Sequence, residues 1–99
     1  MEFLVDMVTT VPDGTSDDAV ADMRRREAAR AAELASQGSL LRLWRPPLAR
    51  GEWRTWGLFG ADDADALDVV LASMPLRVWR HDVVTPLSAH PSDRGRPTG

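Results

Sequence analysis

The order of local patterns leaves this chain few folds. Phe3 to Thr10 alternates at the period of a strand, with Phe3, Val5 and Met7 on one face and Leu4, Asp6 and Val8 on the other. Val11-Pro12-Asp13-Gly14 is a turn, because proline presets φ and glycine accepts positive φ. Thr15 or Ser16 is placed to cap a helix, with Asp17 and Asp18 at the positive end of its dipole. That helix is expected to run to about Ser36, with Gly38 as its stop. Leu40 to Arg45 is a second strand, ended by Pro46-Pro47, and Glu52 to Phe59 is a third. Gly60-Ala61-Asp62-Asp63 turns into a second helix over about Asp63 to Ser73, where Leu67, Val70, Leu71 and Met74 recur at helical spacing. Pro75 closes it, Val78 to Thr85 is the fourth strand, and Pro86 onward is a tail. The sum is an α+β chain of ferredoxin-like βαββαβ order, a four-stranded antiparallel sheet with both helices on one face. Residues 1–90 are expected to form one domain and 91–99 a flexible C-terminal tail.

A sheet with helices on one side and water on the other alternates cleanly. Here the first three strands carry apolar residues on both faces: Leu41 and Leu43 oppose Leu40 and Trp44, and Trp53 and Phe59 oppose Trp56 and Leu58. Two small helices cannot cover both sides, so the expected cover is a second copy, a homodimer packed sheet to sheet. A chain of 99 residues has a limited core of its own, which favours association. The other reading is a single concave sheet that binds a ligand.

The composition limits the chemistry. All 12 basic residues are Arg, and Lys, Tyr and Cys are absent. Schiff-base lysine, cysteine nucleophile and tyrosine acid are therefore excluded, leaving Glu, Asp, His or water for proton transfer. Two His and no Cys argue against a structural metal site, and a net charge of −3 argues against nucleic acid as the main partner. No stretch approaches the ~20 apolar residues of a membrane span. The opening residues lack the basic-then-apolar layout of a secretory leader, so a cytoplasmic location is expected.

One residue does not fit its surroundings. On a helical wheel of ~100° per residue, Val20, Met23, Ala31 and Leu34 form a narrow stripe, and Glu27 falls inside it. A carboxylate on a buried face is costly unless paired or neutral, and a carboxyl group in an apolar pocket suits a general base. The alternatives are an ion pair with a strand arginine such as Arg45, or with Arg24 one turn away, or a helix rotated to turn Glu27 outward. Arg45 shares a strand face with Leu41 and Leu43 and could meet Glu27 or fork a substrate carboxylate. His81 alternates with Trp79 and Val83 and could be an acid or a structural residue; His90, beside Pro91, reads as a subunit-docking residue. Four Trp offer large flat walls for a core or a pocket.

The chain resembles the muconolactone Δ-isomerase family over nearly its whole length. The resemblance is carried by Phe3-x-Val5-x-Met7, Arg26-Glu27 in a long helix, Leu43-Trp44-Arg45, the aromatic strand ending at Phe59, Met74-Pro75-Leu76 and Thr85-Pro86-Leu87-x-x-His90-Pro91-Ser92. It implies ferredoxin-like subunits of the dimeric α/β-barrel type, sheet-to-sheet dimers assembling into a decamer, and cofactor-free movement of a proton and a double bond in an unsaturated lactone. Glu27 stands at the family's pocket glutamate. The family's Tyr-x-Asn-Tyr-Ser strand reads Trp53-Arg54-Thr55-Trp56-Gly57 here, about three extra residues lie within Pro46 to Gly51, and Phe-Pro-Tyr becomes Arg77-Val78-Trp79. A more aromatic and more cationic pocket follows, and with it a bulkier lactone, quinone or polyketide-like substrate.

The expected function is therefore an isomerase with Glu27 as base and then acid. Arg45 or Arg54 steadies the developing enolate, and Trp53, Thr55, Trp56, Trp79 and His81 complete the substrate site. Two rivals differ in class: a cyclase or rearrangement enzyme acting on a larger natural-product intermediate, and a non-catalytic binding or assembly subunit. The last requires Glu27 locked in an ion pair and a closed cavity.

Overall fold

Alternation along the first strand sets the layering of the computed structural model, which describes residues 1–93. In β1 (Glu2–Thr9) the residues Phe3, Val5, Met7 and Thr9 are buried, while those between them are half-exposed. β1 lies inside a four-stranded sheet of order β2-β3-β1-β4, where β2 is Leu40–Trp44, β3 Arg54–Gly60 and β4 Arg80–Leu87. Every neighbouring pair is antiparallel.

Two helices cover the inner face. α1 (Asp17–Ser36) starts where the Ser16 hydroxyl accepts from the Ala19 N–H at 3.1 Å, and Gly38 follows its end with φ of 79°. α2 (Ala64–Ala72) is capped by Asp63, whose carboxylate accepts from the Ala66 N–H at 2.7 Å. Met23 and Leu34 of α1 and Leu67 and Leu71 of α2 are buried, as their helical spacing predicts. The core joins Phe3, Val5, Met7, Leu34, Leu40 and Phe59 with the residues of α2 and Met74.

Three local expectations are corrected. Pro75 does not simply stop a helix: Pro75–Trp79 forms a short 3-10 helix, so β4 begins at Arg80 rather than Val78. Proline is favoured in a first helical turn because its fixed φ suits it and its missing N–H is not needed there. At the other end Pro86 and Leu87 belong to β4, not to a tail, since an edge strand tolerates a proline. In β2 the pairing shifts between Leu40↔Phe59 and Arg42↔Leu58, so Leu41 is an extra, bulged residue. The bulge reverses the alternation, putting Leu40 and Leu43 on the inner face and Arg42 and Trp44 on the outer one.

The outer face carries Leu4, Val8, Trp44, Trp56, Leu58 and Val83, with Trp44 39% and Trp56 37% exposed. At its centre Arg54 grips Asp6 through both carboxylate oxygens, the Nε contact at 2.8 Å. His90 shapes a turn, accepting from the Ser92 N–H at its ring and from the Asp93 N–H at its carbonyl. The tail expected over 91–99 lies, from residue 94 on, outside the described residues. Among the described residues no helix is long and apolar enough to cross a membrane.

Candidate active site

A cavity of about 250 Å³ lies between α1 and the inner face of the sheet. β1 supplies Met7 and Thr9 to its wall, and Trp53 and Thr55 come from the entry to β3 and from β3 itself. Leu43 and Arg45 arrive from β2 and just beyond, aimed inward by the bulge at Leu41. α1 closes the other side with Arg24, Glu27, Ala28 and Ala31, each a helical turn from the next or adjacent to one that is.

Among the described residues Glu27 is the only acid in this wall, and its side chain is 16% exposed. Its Oε1 accepts from the Leu76 backbone N–H at 3.0 Å, and its Oε2 accepts from Arg80 Nη1 at 3.0 Å. The charge that the wheel places on a buried stripe is therefore tolerated by pairing, as buried ions require. The partner is neither Arg45 nor Arg24. Arg24 instead stacks over the Trp53 ring, 3.9 Å from its centroid. Arg45 is exposed and lines the cavity, with no hydrogen bond or ion pair to any described residue.

Arg80 is deeply enclosed, its side chain 2% exposed. Its Nε and Nη2 donate to the two oxygens of Asp82 at 2.7 and 3.1 Å, and Nη2 also reaches the Leu71 carbonyl at 3.4 Å. Asp82 in turn faces Arg77 at 3.7 Å, and Arg77 donates to Asp68 at 3.0 Å. A chain of alternating charge thus runs from the surface at Asp68 to the cavity at Glu27. Arg77 Nη1 is buried and donates no hydrogen bond.

Four residues singled out from the sequence meet at this cavity: Glu27, Arg45, Trp53 and Thr55. Arg54, Trp56 and His81 do not. They lie on the opposite face of the sheet, because Arg54 and Trp56 alternate with Thr55 and His81 alternates with Arg80. There Arg54 is held by Asp6, whose pKa is lowered from its ordinary value chiefly by that hydrogen bond, against a smaller opposing effect of burial. Trp79 sits in the 3-10 helix, half-buried and away from the cavity wall.

Sequence reasoning missed Arg80, Asp82 and the Leu76 N–H, and it considered Arg24 only as an ion-pair partner of Glu27, not as a wall of the cavity. A signal for the first two existed: a strand starting at Arg80 puts Arg80, Asp82 and Val84 on the helix side, and an acid buried in α1 needs a cation there. Among the described residues no group of three or more His, Asp or Glu side chains is disposed to hold a metal ion.

Comparison with known proteins converges on one family. The family model for muconolactone delta-isomerase matches residues 1–93. Muconolactone Delta-isomerase of Cupriavidus pinatubonensis is 32% identical over 92 residues, covering 93% of this chain and 97% of that protein. Muconolactone Delta-isomerase 1 of Acinetobacter lwoffii is 29% identical, with 93% of each chain covered. A crystal structure of muconolactone isomerase superposes with a TM-score of 0.85 at 25% identity, over 98% of both chains. SnoaB, a cofactor-independent oxygenase from Streptomyces nogalater, shares the fold alone, with a TM-score of 0.51 and 18% identity over 93% of this chain and 97% of its own.

Proposed function

The chain belongs to the muconolactone delta-isomerase family and is an isomerase, and from that premise we propose that it moves a double bond in a small unsaturated lactone with Glu27 as the proton carrier. The observation that carries this is the Glu27 carboxylate itself, set in a cavity wall with one oxygen on Leu76 and the other on Arg80. In the first step Glu27 takes a proton from the carbon next to the conjugated carbonyl system, leaving a neutral Glu27 and an enolate. In the second step Glu27, now carrying an exchangeable proton, gives a proton to another carbon of that system, so Glu27 ends as it began and the ring has gained no atom.

Arg45 is the group suited to the negative charge. It is the cavity cation with no hydrogen-bond or ion-pair partner among the described residues, and a guanidinium aimed at the enolate oxygen, or at a carboxylate carried by the substrate, lowers the barrier or anchors the ring. Arg54, the other cation considered for this task, faces away and is taken by Asp6. Trp53 and Leu43 provide a dry wall.

The cavity size favours this reading over the larger natural-product substrate. About 250 Å³ lies below the ~300–1,000 Å³ of pockets that hold drug-sized ligands, and it suits a single ring. The purely structural alternative required a closed cavity as well as an ion-paired Glu27; the ion pair is present and the cavity is open. A cytoplasmic location and a second copy on the outer sheet face, as the first tier of a larger ring, belong to the same proposal. The apolar outer face supports the second copy.

The test is turnover of muconolactone by the full chain and by Glu27→Gln. The variant is expected to lose kcat by about 10²–10⁴-fold with its circular dichroism unchanged. Wild-type turnover by Glu27→Gln removes Glu27 from this role.

A further inference from the structure

Arg80, which lines the cavity, and Asp82 behind it carry no step of the reaction proposed above, yet their side chains are only 2% and 6% exposed. Their geometry is specific. A guanidinium prefers to fork a carboxylate with two parallel N–H groups. Arg80 gives that fork to Asp82, through Nε and Nη2, and leaves Glu27 a single N–H from Nη1. The second oxygen of Glu27 is thereby free for the Leu76 amide. Asp82 is itself held from behind by Arg77, 3.7 Å away, which Asp68 anchors at 3.0 Å.

We propose that Arg80 and Asp82 form a positioning pair that aims the Glu27 carboxylate into the cavity: Arg80 holds it by one contact, and Asp82 keeps Arg80 from seizing it by two. Without Arg80, Glu27 keeps only the amide and swings toward water. Without the Asp82 charge, the guanidinium turns its fork on Glu27, draws it off the Leu76 amide and ties up both oxygens that would take the proton. Either change misplaces the base without touching Arg45 or Trp53, so it acts on turnover and spares binding. The inference rests on Glu27 being the base of the reaction proposed above.

The experiment compares full-length wild type, Arg80→Met and Asp82→Asn by muconolactone kinetics and by the backbone amide signal of Leu76 in ¹⁵N-labelled protein. Arg80→Met is expected to lose about 100-fold in kcat, the order of loss that follows a misplacement of ~1 Å. Asp82→Asn is expected to lose about tenfold, a smaller misplacement on the same scale. KM should stay within about twofold in both, and Arg80→Lys should recover part of the loss by returning one cation. The Leu76 amide should move upfield in both as its carboxylate partner leaves. A kcat within twofold of wild type, or a loss carried by KM alone, overturns the pair's role. If Arg80→Met does not fold, Asp82→Asn, which keeps the shape of the side chain, decides by the same criteria. If wild type turns over no muconolactone, the isomerase reading falls and the amide decides this one: displacement supports the positioning pair, and an unmoved Leu76 signal refutes it.

Discussion

Glu27 works as a base only if its charge survives burial and its oxygens still face the cavity. One hydrogen bond from a backbone amide and one from a shared guanidinium meet both conditions. Arg45 answers a different need, since a cavity-wall cation that pairs with none of the described residues can meet an anion. Arg45→Leu is expected to raise KM for muconolactone about tenfold or more, the worth of a charged hydrogen bond of ~1.5–3 kcal/mol; initial-rate kinetics check it, and an unchanged KM would assign the anion elsewhere. On the opposite face, Asp6 titrates below its ordinary range because Arg54 bonds its charged form. Its folded pKa lies below its unfolded one, so the unfolded chain binds more protons between the two values and stability rises with pH there. The contribution is complete above the unfolded carboxylate value and is lost as pH falls through the folded one. Asp6→Asn should therefore flatten the acid side of a Tm-against-pH curve, and an acid limb identical to wild type would contradict this.

At the scale of elements, the parts that the sequence makes legible are those where period and burial coincide. The inner residues of β1 and the stripe Val20, Met23, Glu27, Ala31 and Leu34 on α1 are of this kind, and the Ser16 and Asp63 caps follow from their chemistry. The start of β4 is not. Val78 and Trp79 alternate as a strand does, and only the backbone turn begun by Pro75 takes them out of the sheet. The pairing of β4 with β1 decides that Arg80, not His81, faces Glu27: Arg80 lies opposite the buried Thr9 and His81 opposite the outer Val8. The bulge at Leu41 is equally hidden, because neither an extra residue nor its partner across the ladder leaves a local mark. Glu27 was thus visible and its partner was not: the partner depends on the register of a strand 53 residues away. Packing under β3 is similarly unforgiving. A Cβ on Gly57 would lie 2.6 Å from the Phe59 ring and 3.0 Å from the Met7 methyl. Gly57→Ala should destabilise the fold by about 1–3 kcal/mol, seen as a lower denaturation midpoint; an unchanged midpoint would mean that the ring and the methyl move aside freely.

On the scale of the whole molecule, the two faces of one sheet divide the work. The inner face and α1 make the cavity, while the outer face keeps Trp44, Trp56 and Val83 in contact with water in the single chain. The proposed second copy covers that face. Trp56→Glu should set two like charges against each other across a two-fold axis and shift the sedimentation coefficient to that of a single chain. An unchanged coefficient would place any interface elsewhere.

The most direct measurement is exchange of the substrate's own proton. Muconolactone incubated with the protein in D₂O and followed by ¹H NMR should lose its acidic C–H signal faster than in buffer with wild type. With Glu27→Gln the signal should decay at the buffer rate. Exchange by Glu27→Gln at the wild-type rate would show that another group removes the proton.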